Sequence, residues 1–244
     1  MVSLSRVPGN SLLLTAWLRV SMLVTAIPQF ETEDELGHGS GISSILQWHS
    51  ASGIVDPQEM PPNFLHVEPA IRNILVRLRS IFHQPQHSQL TTTDLHDLTC
   101  FVVHKVLLMA PLSGSSLERL ALSECLRFAI ALYMLIIHGT TYYSHAHLAN
   151  AILGQLRRHL ITFTRTDYIR GPIGLWILSV ATISTIGVAD HHWFKEQMAM
   201  VATTLGLHNW EDVVSHLQNV LWTTTPQGEI FQQIWEEVLT NSVR

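Results

Sequence analysis

The residues of this chain whose types could do chemistry are its histidines, its two cysteines and a few acids. Fifteen His are spread over 244 residues, and imidazole serves both as a metal ligand and as a proton carrier near neutral pH. His145 and His147 in "SHAH" stand two apart, which on a helix sends them to different faces. His191 and His192 are adjacent, beside Asp190, and diverge in the same way. Neither pair is completed by a motif with metal-ligand spacing, so no metal site is expected. Cys125 follows Glu124, but the surrounding "ECLRFAIALYM" is a mainly apolar stretch in which a thiol is expected to be buried and inert. Ser40 in "GHGSGIS" lacks the nucleophile-elbow pattern and a preceding strand, and fits a turn. The phosphate-loop pattern is missing as well. The expectation is therefore a protein with no catalytic residues, no cofactor and no metal, and not an enzyme. The acids of "ETEDE", residues 31 to 35, fit a solvated face or loop, with contact to a basic partner as the alternative.

The elements that would position these residues are nearly all helices. "EPAIRNILVRLRSIF" carries Ile71, Ile74, Leu75, Leu78 and Phe82 at helical spacing, and "TTDLHDLTCFVVHKVLLMA" follows capping threonines. In "SSLERLALSECLRFAIALYMLIIHG", Ser115 and Glu118 have capping-box spacing, and Gly139 ends a run that is apolar on every side from Phe128. "SHAHLANAILGQLRRHLITF" predicts another helix, and "RGPIGLWILSVATISTIG" starts one at a proline suited to a first turn. Asp190 is expected to cap the next helix, Gly206 to stop it, and Asn209 to cap the following one, whose inner face is Trp210, Val213, Val214, Leu217, Val220 and Leu221. "PQGEIFQQIWEEVL" closes the chain with Ile230, Ile234, Trp235 and Val238 turned inward. The threonine triplets at 91 to 93 and 223 to 225 read as connections. Trp176, Trp193, Trp210, Trp222 and Trp235 are expected mainly in the core, with one or two lining a cavity. The fold class is thus all-α, a multi-helix globular bundle.

Residues 28 to 66 differ, holding acids, the glycines of "GHGSG", a proline pair and one short helix candidate around "ISSILQW". The expected organisation is a loosely ordered N-terminal segment over 1–66 and a helical domain over 67–244. With 47% hydrophobic and 14% charged residues, a substantial core follows. A net charge of −5, with just Lys105 and Lys195 beside twelve Arg, argues against a phosphate-binding face. Two Cys are too few for a disulfide scaffold and fit a reducing compartment. Mean hydropathy is high at +0.22. The run 128–137 is nevertheless far too short for a membrane span, and 173–189 lies at the short edge of one with four hydroxyl residues in it. Both fit buried core helices better. The N-terminal "SLLLTAWLRVSMLVTAIP" has a secretory flavour that Arg19 interrupts.

The order "LSECLRFAIALYM", "LGQLRRHL", "GPIGLWILSVATISTIG", "HHWFKEQMAMVATTLGLHNWEDVVSHLQNVLW" and "GEIFQQIWEEV" resembles the C-terminal part of the fungal-specific transcription factor domain. The resemblance spans residues 115–238, with an expected extension upstream to Glu68. It rests on order and spacing, carried mostly by Trp193 and Phe194, by "LGL" at 205–207 and by "WEDV" at 210–213. In that family the all-helical regulatory region follows a zinc binuclear cluster, and the regulators often control metabolic or secondary-metabolite genes.

The departure from the family is as informative. A zinc binuclear cluster needs six closely spaced thiolates and a basic segment, and Cys100 and Cys125 cannot supply it. No direct nucleic-acid contact is expected from these residues. The resemblance then implies a nuclear, transcription-regulator-like domain working through a ligand or a protein partner, either a second copy or a DNA-binding co-regulator. The outer faces carrying Arg119, Arg157 and Arg158 are the expected contact surface. A membrane-associated or secreted helical protein is the alternative, although membrane partners are not expected.

Overall fold

Helix starts and stops account for most of the architecture, seen in a computed structural model that describes residues 32–33, 42–51, 62–83, 90–109, 116–139, 146–223 and 227–242. Two residue pairs form the described strands: β1 (Thr32–Glu33) lies parallel to β2 (Ile42–Ser43), with Thr32 opposite Ile42. The candidate helix around "ISSILQW" thus begins late, as α1 (Leu46–Ser50), and Ile42 and Ser43 pair as strand instead. After a 3₁₀ turn at Pro62–His66 come α2 (Pro69–His83) and α3 (Thr92–Leu108). Then follow α4 (Leu117–His138), α5 (Ala146–Phe163), a second 3₁₀ turn at Asp167–Arg170, α6 (Pro172–Ser184), α7 (His191–Leu205), α8 (Trp210–Gln218) and α9 (Gly228–Ser242). The fold is all-α, as the periodicity predicts.

The caps show which local signals decided each boundary. Thr91 opens α3 with a complete capping box: its hydroxyl accepts from the Asp94 amide at 3.1 Å, and the Asp94 carboxylate accepts from the Thr91 amide at 3.1 Å. The triplet at 91–93 is therefore a helix start, not a connection. Asn209 caps α8, its Oδ1 accepting from the Asp212 amide at 2.8 Å, and Pro172 stands at the first turn of α6. Gly206 ends α7 in the left-handed region, φ 64 and ψ 38, where only glycine is unstrained. The Ser115 half of the expected capping box lies outside the described residues, and Ser116, the residue before α4, makes no side-chain cap bond. One expectation fails. Asp190 makes no side-chain cap bond to α7; its carboxylate is paired with Arg157 on α5.

Helix α4 forms the centre. Every residue from Ala121 to Leu135 is buried, and so is Ile173 to Ile183 in α6. Leu117–His138 has the length and composition of a membrane-crossing helix, yet 89% of its apolar window is buried inside the molecule. α4 packs on α3, α5 and α6, and α7 packs on α6 and α9. Polar ties pin the later elements. Trp176 Nε1 donates to the Leu221 carbonyl at 2.6 Å, Trp235 Nε1 to Ser179 Oγ at 3.1 Å, and the Thr223 amide to the Tyr133 hydroxyl at 3.0 Å. Arg79 on α2 reaches the carbonyls of Asn219 and Val220 just past α8, where uncapped C=O groups favour a cation. On α9, Trp235, Val238 and Phe231 are buried, whereas Ile230 is partly exposed rather than inward. Trp48 and Phe64, on the N-terminal side of the expected 66/67 division, belong to this same core.

Candidate functional site

A cleft of about 390 Å³ between α3, α4 and α5 joins charge to apolar lining. Leu107 comes from α3. Leu120, Glu124, Arg127 and Phe128 recur at helical spacing on α4, and Gln155 and His159 stand one turn apart on α5. Glu124 and Arg127 are 4% and 6% exposed and form an ion pair at 3.3 Å. Burial lowers the guanidinium's pKa and the neighbouring carboxylate opposes that shift. Arg127 lies 5.0 Å from the Phe128 ring, and His159 stacks on that ring at 5.9 Å with an interplanar angle of 22°. The His159 pKa is pushed below its ordinary value, chiefly by burial; Glu124 raises it, while Arg127 and Arg158 lower it further. Burial thus favours the neutral ring, and the Glu124–Arg127 pair carries no net charge.

A second polar cluster is wholly internal. His96 Nδ1 and His138 Nε2 are 2.7 Å apart, His138 Nδ1 meets the Gly139 carbonyl at 3.0 Å, and Cys100 Sγ lies 3.6 Å from His96 Nε2. A carbonyl only accepts, so His138 Nδ1 must donate, and its other nitrogen is the acceptor when the ring is neutral. His96 Nδ1 then donates to it, and His96 Nε2 accepts from the Cys100 thiol. All three contacts are served by uncharged side chains. This arrangement ties α3 to the end of α4. Among the described residues no group of three His, Cys, Asp or Glu side chains has a metal-holding arrangement.

The residues singled out from sequence are dispersed. His147 is exposed, and His145 and Ser40 lie outside the described residues, as do the acids of "ETEDE" apart from the backbone of Thr32–Glu33. His191 turns inward, its Nδ1 3.1 Å from the Thr182 carbonyl, whereas His192 turns outward to Glu196 at 3.2 Å. Cys125 is fully buried, its thiol pushed up by burial and then by Glu124, so the reactive thiolate is disfavoured. Trp176 and Trp235 are core, Trp222 is buried, and Trp193 is 37% exposed. Arg119 and Arg158 are exposed, and Arg157 is exposed but paired with Asp190. Sequence reasoning missed Arg127, Gln155 and His159. A signal existed for the first: opposite charges three residues apart, inside a helix apolar on all sides, have to be buried together.

Comparison with protein families, curated proteins and solved structures finds no match for this chain.

Proposed function

We propose that the chain is the helical regulatory domain of a fungal transcription regulator, acting through a ligand or partner and not by touching DNA itself. What supports this reading is the order of helical stretches from residue 115 to 238, together with an all-α architecture that has a charged, apolar-lined cleft at its surface. The cleft is the single observation that carries it furthest, since a site shared by three helices lets an occupant favour one packing of α3, α4 and α5 over another.

Fusing the chain to an unrelated DNA-binding module and reading a reporter in a fungal host tests the proposal. The expected result is a reporter level that the fusion changes and that substitutions in the cleft change again, with the tagged chain in the nucleus. A tagged chain confined to membranes or the secretory route, with a silent reporter, overturns it.

A further inference from the structure

The Glu124–Arg127 pair decides what the cleft accepts. The lone lining cation is already neutralised by a carboxylate at 3.3 Å, both partners being more than nine-tenths buried. A ligand bringing its own charge would be stripped of water and meet a cation whose charge Glu124 already offsets, a cost that buried ion pairs repay only when geometry is complete. Arg158 contributes no lining surface and stands in solvent, where its pull on an anion is screened. Leu107, Leu120 and the ring of Phe128 supply apolar walls, and the stacked Phe128 and His159 rings give the lining a flat aromatic element. Gln155, partly exposed, brings amide donors and an acceptor beside the His159 ring. About 390 Å³ falls within the ordinary range of small-molecule sites.

We propose that this cleft binds an uncharged, planar, apolar molecule bearing a hydrogen-bonding group such as a hydroxyl. The rings lie against Phe128, Leu107 and Leu120. The polar end meets Gln155 and the Glu124–Arg127 pair. The binding stands on the geometry alone; its use as a regulatory signal rests on the function proposed above.

The test uses the whole purified chain and two probes with the same ring system, β-naphthol, neutral at pH 7, and β-naphthoate, an anion. Wild type is expected to bind naphthol saturably and at least about tenfold more tightly than naphthoate. Gln155→Trp, placed at the half-exposed rim, fills the space and is expected to weaken naphthol binding by about tenfold or more, with an unchanged thermal midpoint. Glu124→Gln leaves Arg127 without its neutralising partner, so the preference is expected to shift toward naphthoate. Should this variant unfold, wild type and Gln155→Trp still decide. No saturable naphthol binding, a wild-type preference for naphthoate, or indifference to Gln155→Trp overturns the proposal. A silent reporter alongside naphthol binding that Gln155→Trp abolishes sinks only the regulatory role.

Discussion

Both ring nitrogens of His104 are buried without a hydrogen-bond partner among the described residues, and burial lowers its pKa to about 4. Above pH 6.5 the ring is neutral folded or unfolded and contributes no pH dependence. Between 6.5 and 4 the unfolded chain binds a proton that the folded chain refuses, so stability falls as pH falls; below 4 the loss is complete. From pH 7 to pH 5 this one group is expected to remove roughly 2 kcal/mol. His104→Leu, which replaces the orphaned ring with an apolar side chain, should abolish that share, leaving a shallower pH dependence in urea unfolding. Parallel curves for variant and wild type would refute the assignment. Single residues of this kind are where sequence is least informative. His104 carries no mark that separates it from fourteen other histidines, and the cleft joins Glu124 to His159 across a separation no spacing rule covers. Burial of a polar group is decided by which helix happens to cover it.

Helices were far more legible than sites, because period and caps are local: Thr91 with Asp94, Asn209 with Asp212 and Gly206 all act within one turn. Illegible were those termini where a distant residue competes for the capping group, as Arg157 does for Asp190. The same contrast governs two glycines. A Cβ on Gly174, in α6, would come within 2.1 Å of the Ile169 carbonyl oxygen, which belongs to the backbone of the preceding 3₁₀ turn. A Cβ on Gly154, in α5, meets nothing within 4 Å among the described residues. Gly174→Ala must force turn and helix apart and is expected to cost about 3 kcal/mol. Gly154→Ala improves an open helical position and is expected to stabilise by about 0.5–1 kcal/mol. Chemical unfolding of the two variants should move the midpoint in opposite directions; a shift in the same direction refutes the packing at the α6 start.

At the scale of the molecule, composition shift suggested a boundary near residue 66, yet packing crosses it. Trp48 is fully buried, edge-on to Phe101 at 5.0 Å and with the Arg77 guanidinium 5.1 Å from its ring, and Phe64 is 2% exposed. A chain beginning at residue 67 loses both aromatics and bares the α2 and α3 surface beneath them. It is expected to unfold at a lower denaturant concentration, corresponding to at least about 3 kcal/mol, and to bind an apolar dye. An unchanged midpoint would place those residues outside the cooperative unit. The burial of α4 also has a consequence in time. A ribosome delivers this chain from its N-terminus, so the apolar helix Leu117–His138 is complete before α5 and α6, which cover it, have been made. Translating on to Ser184 takes roughly two to nine seconds. Throughout that interval the nascent chain carries, not yet covered by α5 and α6, a segment with the length and composition of a membrane span, and the factors that meet it as it leaves the ribosome, chaperone or targeting machinery, encounter a different molecule from the finished one.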